Sequence, residues 1–194
     1  MILLAIFPLM TGCVTVESKN PLSSPRLAVP DKRLEGLWRN GDGKAGSGYL
    51  YIAYRPHGEA SVLSFGPDDK SGIGTMQYDF FVTHGPKHDY LNLSHAVDHM
   101  QGAIHRDRSG NYTFVEYHFT WLGQLVYRQV EGGTFSQAVE HGKLRGKLTY
   151  DKKTKGVTNT LLTDSSEHIL KFIESSKPED VLGAPQKYSR IGGL

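Results

Sequence analysis

One cysteine in 194 residues excludes a disulfide framework, which needs at least a pair, so the folded part must be held by its hydrophobic core. Charge of one sign is also lacking. The 22 Lys and Arg against 20 Asp and Glu leave a formal charge of +2, with the basic residues scattered among acidic ones rather than gathered in a stripe. That distribution lacks the electrostatic footprint of a nucleic-acid binder. The strongest apolar run stops well short of the roughly 20 residues that cross a bilayer as a helix. A Gly-x-Ser-x-Gly elbow is absent, so covalent catalysis has no evident nucleophile. What is present is 38% hydrophobic residues and 22 glycines, the composition of a globular chain rich in turns. By length the chain is one domain with appendages.

The apolar run is residues 1–12, MILLAIFPLMTG, uncharged and directly before Cys13. Its length suits the apolar region of a signal peptide, about 7–15 residues, with small Thr11 and Gly12 ahead of the cut. MTGC resembles the lipobox of bacterial lipoproteins, an aliphatic residue and two small ones before Cys, with Met10 where Leu is common. The resemblance implies cleavage after Gly12 and acylation of Cys13. Because Val14 rather than Asp follows, it also implies the outer membrane, facing the periplasm. One acyl chain anchors marginally, at about 0.8 kcal/mol per buried CH₂, and several anchor stably. A positively charged leader start is missing, which puts the natural start upstream or marks a truncation. The alternative is a buried N-terminal strand with a free thiol. Residues 13–33, with three prolines, several serines and no hydrophobic period, are expected to be the lipidated Cys and a solvated tether.

From Leu34 the texture changes to short runs punctuated by glycine. Strands are predicted at 34–40, 49–55, 59–65, 75–83, 89–94, 111–119, 122–130 and 157–163. In 75–83, Met76, Tyr78, Phe80 and Val82 alternate with Gln77, Asp79 and Phe81, as a half-buried strand requires. Phe135, Ala138 and Val139 fall at helical spacing, with Thr134 as N-cap and Gly142 past the end. A second helix follows the capping-box-like Asp164-Ser165-Ser166-Glu167 and is stopped by Pro178. The expected fold is mainly β: an eight-stranded antiparallel up-and-down barrel over 34–177, with a short helix before the last strand and a C-terminal helix. Residues 178–194 are read as a frayed tail. Closure would remove exposed edges; a two-sheet sandwich is the alternative.

LEGLWR, with Gly36 and Trp38, resembles the Gly-x-Trp element that opens the first strand of lipocalins and their calycin relatives. FSQAVEHGKLRGKL and TDSSEHILKFIE are similar to segments near the ends of small bacterial lipocalin-like proteins. These resemblances imply the barrel fold, not an activity.

Among polar residues, His84, His88, His95, His99 and His105 cluster in sequence. A His95–His99 pair on a helical turn, with Asp98 nearby, would have zinc-ligand spacing; the alternative is solvated loop histidines. His84 and His88 flank Gly85-Pro86, so the helical argument does not reach them. Glu116 and His118 share a strand face and suit an acid–base pair, although an outward barrel face carries the same pattern. The Gly-rich stretch 41–48 lacks the Lys-Ser/Thr ending and the following helix of a phosphate loop, and reads as a turn. Aromatics concentrate on the strands. Trp38, Tyr51, Tyr78, Phe80 and Tyr117 are the leading candidates to line a pocket with apolar walls and a few hydroxyls. No cofactor is implied. The sequence is read as a non-enzymatic, lipid-anchored envelope protein that binds a small apolar ligand such as a lipid or fatty acid, with the membrane as partner through its anchor. The competing reading is a solidly packed barrel that meets a protein partner through its surface.

Overall fold

Alternating side chains over the middle of the chain become strands in the computed structural model. It describes residues 14–41, 48–55, 60–68, 72–100, 103–107 and 109–192, with the backbone alone at 68, 72, 95, 96, 98–100 and 103–106. Residues 1–13, with Cys13 and the apolar run read as a signal peptide, lie outside the described residues. The strands are β1 (Thr15–Ser18), β2 (Gly36–Asn40), β3 (Tyr49–Tyr54), β4 (Ala60–Asp68), β5 (Gly72–His84), β6 (Asp89–Met100), β7 (Ala103–Arg106), β8 (Thr113–Phe119), β9 (Leu125–Gln129), β10 (Gly146–Tyr150), β11 (Val157–Leu162) and β12 (Gln186–Arg190). The helices are α1 (Gly132–Glu140), α2 (Ser166–Ser175) and α3 (Pro178–Val181).

Strands β2, β3, β4, β5, β6, β8, β9 and β12 pair in a closed antiparallel ring, the expected eight-stranded up-and-down barrel, and β7 folds back on β6 as a hairpin. The strands are strongly tilted. Ala60 at the start of β4 lies level with Phe80, then Leu93, then Thr113 at the start of β8, so three sideways steps cross from one rim to the other. Side-chain alternation then fixes the inside. Leu50, Ile52, Val62, Phe80, Val82, Leu91, Val115, Tyr117, Leu125 and Tyr188 share one core with Trp38.

The barrel closes through a strand that the sequence does not advertise. Val157–Leu162, expected to complete the barrel, instead sits outside it, antiparallel to β10 and parallel to β1. The last place in the ring belongs to β12, which pairs with β2 on one edge and β9 on the other. The frayed-tail reading of 178–194 is therefore corrected. In β12 the inward positions are Gln186, Tyr188 and Arg190, and only Tyr188 carries the aromatic signal of a buried strand.

The tether is corrected as well. β1 forms an edge of the outer sheet, Val16 and Leu22 are buried in the second core, and Ser18 exchanges backbone hydrogen bonds with Tyr112. Proline and serine there set a path over the protein rather than a loose spacer. That second core, with Phe135, Leu162, Ile169 and Ile173, joins α1, α2 and the small sheet to the outer barrel wall at Tyr90 and Phe114. Helix α2 starts where expected: the Ser165 hydroxyl accepts from the His168 backbone N–H at 3.2 Å. Helix α1 starts two residues before the expected Thr134 cap and ends at Glu140, and Gly142 just past it has the φ of +69° that suits the left-handed exit.

Removing β12 opens the ring between β2 and β9 and exposes Trp38. A chain ending at Gly183 is expected to lose its single cooperative urea transition. A truncated chain that unfolds with the parent's midpoint and slope would show that closure contributes nothing.

Candidate functional site

Local chemistry makes the two ends of the barrel different. At one end a turn of 3-10 helix, Lys32–Leu34, lies across the opening and buries Leu34 completely. Trp38 on β2 donates its indole N–H to the Leu34 carbonyl at 2.8 Å. The Arg190 guanidinium, from β12, lies 4.4 Å from the Trp38 ring centroid and hydrogen-bonds the carbonyls of Glu35 and Arg33. Gly36 is required there: its φ is +129°, and a Cβ would fall 2.9 Å from Arg190 Nη1.

Asp31 is the polar centre of this plug. Its carboxylate caps the turn by accepting from the Arg33 backbone N–H at 3.0 Å, takes the Arg33 side chain at 2.7 Å, and accepts the Tyr117 hydroxyl at 3.2 Å. Its carbonyl accepts the Tyr54 hydroxyl at 3.0 Å. Burial pushes the Asp31 pKa upward, but the side-chain and backbone hydrogen bonds from Arg33 outweigh it and hold the carboxyl below its usual value. Burial first, and then the Asp31 charge, raise both phenols, Tyr54 to about 12 and Tyr117 further. Both stay neutral donors at physiological pH.

The other end is the mouth. Side chains that face inward by register here are partly buried: Asn40, Ser64, Met76, Tyr78, Leu93 and Tyr127. Tyr78, Leu93 and Tyr127 pack on the barrel core while keeping accessible surface. Tyr127 and Tyr188 stack with centroids 5.3 Å apart and hydroxyls at 3.4 Å. The Tyr78 hydroxyl turns to the Met76 sulfur. The described inward-facing side chains at this end thus combine apolar groups with phenols, an amide and a hydroxyl.

Four of the five pocket residues read from sequence lie on this inner face. Trp38, Phe80 and Tyr117 are buried in its core, and Tyr78 stands nearer the mouth. Tyr51 does not join them. It faces out from β3, 44% exposed, beside a shallow cleft of about 360 Å³ that also touches Lys32 and Arg190. β3 is apolar on both faces, so its parity is not readable from sequence. Tyr127, Tyr188, Asp31 and Arg190 were missed. The alternation of Leu125 and Tyr127 signals the first, whereas Asp31 and Arg190 sit in segments whose composition reads as linker and tail.

The histidines are rearranged too. His95 and His99 belong to β6, not a helical turn, and four residues of strand span about 13 Å, more than twice a helical turn. Their side chains lie outside the description. Glu116, read as outward-facing, does point away from the barrel axis but is covered and only 2% exposed. His118 Nδ1 lies 3.1 Å and His88 Nδ1 3.6 Å from its Oε1. Among the described residues, no group of three His, Cys, Asp or Glu is arranged to hold a metal ion. No protein-family model, curated protein or solved structure matches the chain.

Asp31→Asn keeps the shape of the plug but removes its charge, and is expected to cost about 1–3 kcal/mol in urea unfolding at neutral pH. Because the folded carboxyl is held below its ordinary pKa of 3.8, its contribution is complete above that value and lost as pH falls below it. The gap between parent and variant should therefore narrow on acidification below about pH 4. An unchanged gap at low pH would assign the loss to packing instead.

Proposed function

We propose that this chain is a lipid-anchored protein of the bacterial cell envelope that takes a small apolar ligand into its barrel without catalysis. The observation that carries the reading is the inner face itself: Trp38, Phe80 and Tyr117 form its apolar core, and Tyr78, Leu93 and Tyr127 on the same face stay partly accessible. Pockets for small ligands combine such walls with a few hydrogen-bonding groups.

The anchoring half of the proposal rests on the likeness of MTGC to a lipobox. It is supported by where the chain enters the fold. Val14 packs against Gly132, just beyond the mouth end of β9; a Cβ on Gly132 would meet the Val14 carbonyl. An acylated Cys13 would then bring the mouth toward the bilayer, where apolar ligands reside. By the same lipobox likeness, Val14 rather than Asp after the cysteine implies the outer membrane.

A second reading has its own observation. Trp121 and Leu122, in the β8–β9 turn at the plugged end, are 92% and 64% exposed. An exposed aromatic and aliphatic pair of this kind suits a protein partner, which is the envelope-accessory alternative.

Native mass spectrometry of the full chain carrying Cys13→Ser is expected to detect a co-purifying or added apolar ligand. Leu93→Trp, which fills the mouth, should lower its occupancy by about tenfold, whereas Trp121→Ala should leave it unchanged. A parent that neither carries nor gains a ligand removes the pocket reading. For the anchor, cells making the parent or Cys13→Ser are fractionated. The parent should sediment with membranes and the variant should not; equal distribution ends the anchoring claim.

A further inference from the structure

The small outer sheet has a basic tip on the side where the chain enters the fold. β1 runs parallel to β11, with Thr15 beside Asn159 and Ser18 beside Leu162. The Thr15 hydroxyl donates to the Thr158 carbonyl at 3.3 Å, so the two strands start one strand spacing apart, about 4.8 Å. Immediately before β11 comes the turn that joins it to β10. Parallel register therefore brings Val14 and this turn to the same end of the sheet. Cys13 directly precedes Val14 in the chain, so an acyl group on it is tied to that end.

The turn presents charge of one sign. Lys152, Lys153 and Lys155 are exposed, and Tyr150 beside them is 50% exposed. The one acid between Tyr150 and Val157 is Asp151, whose carboxylate is turned into the loop. It accepts from the backbone N–H of Lys153 at 2.8 Å and of Thr154 at 2.6 Å, and from the Thr154 hydroxyl at 3.0 Å. The Asp151 N–H to Gly156 carbonyl and Lys155 N–H to Asp151 carbonyl bonds tie the turn closed, with Lys155 in the left-handed region at φ +59°. Asp151 is thus spent on the shape of the turn, and the three ammonium groups are left facing water. Tyrosine settles at the head-group level of a bilayer, and lysines close to an anionic bilayer are drawn to its surface.

We infer that this hairpin tip is a contact for anionic phospholipid head groups, so that the membrane holding Cys13 is also held by Lys152, Lys153 and Lys155. The inference rests on the anchored reading above for its place at a membrane, and adds an electrostatic contact that sets which side of the domain faces the bilayer. Each lysine at an anionic surface strengthens attachment about fivefold, and the gain fades beyond a Debye length, about 8 Å at physiological salt.

The full chain with Cys13→Ser, which lacks the thiol, is titrated against vesicles of phosphatidylcholine alone and of an equal mixture with phosphatidylglycerol. The apolar leader meets both, so the ratio of affinities reads the charge. The anionic vesicles should bind at least about tenfold more tightly, and the gain should vanish near 1 M salt, where the Debye length is about 3 Å. Lys152→Gln/Lys153→Gln/Lys155→Asn, with asparagine suited to the left-handed position, should abolish the gain. Lys19→Gln/Lys143→Gln/Lys171→Gln removes the same charge from exposed positions outside the tip and should keep it. A second readout needs no lysine variant: acetylation read by mass spectrometry should find Lys152, Lys153 and Lys155 protected by the anionic vesicles, and Lys19, Lys143 and Lys171 not. No anionic gain, a gain that survives in the tip variant, an equal loss in both triple variants, or an unprotected tip overturns the inference. Acylation of Cys13 is decided separately by cell fractionation, so either claim can fail while the other stands.

Discussion

The stacking of Arg190 on Trp38 ties the first barrel strand to the last, and the rest of the structure depends on it. An up-and-down sheet of this length has two free edges, each a row of unpaired backbone groups, until its ends meet. Here they meet through a short, polar β12 with little apolar surface of its own to bury. Its Arg190 uses the Trp38 face and two backbone carbonyls of the plug, so one side chain joins closure of the ring to closure of its end. The positive φ of Gly36 is the local condition for that approach, because any side chain there would displace the guanidinium.

Closing one end makes the two ends unlike, and that asymmetry gives the barrel an inside with a direction. At the plug, Asp31 gathers a cap, an arginine and a phenol, which satisfies a buried carboxylate with charge-assisted bonds. The long strands β5 and β6 are tilted across the wall, so the residues far from the plug are reached by solvent although they face inward. Tilt and closure thus set the environment in which the phenols of Tyr78, Tyr127 and Tyr188 act.

The outer layer has a structural part in this. β1, β10, β11 and the helices cover the wall at Tyr90 and Phe114, which would otherwise be an exposed aromatic surface. Asp164 joins this layer internally, accepting from the Arg145 and Ser165 backbone N–H groups and from the side chains of Arg145 and His168. Tyr90 meets Glu174 of α2 through its hydroxyl at 3.0 Å, so the layer is attached to the barrel by a buried polar contact as well as by apolar packing.

Sequence alone determined the parts whose cause is local. The alternation from Met76 to Val82 and the runs at 89–94 and 111–119 specify strands. The Ser165 cap and the stripe of Ile169 and Ile173 specify α2. The Gly-rich turns and the absence of disulfides specify a meandering β domain. Only the tertiary structure decided the rest. Tyr51 lies outside because β3 is apolar on both faces and its neighbours set its parity. Residues 14–33 and 186–190 join the fold because distant strands supply hydrogen-bonding edges and aromatic faces that composition does not record. A strand such as β12 carries almost no signal of its own, since what stabilises it is a pair of edges about 60 and about 150 residues away in the chain.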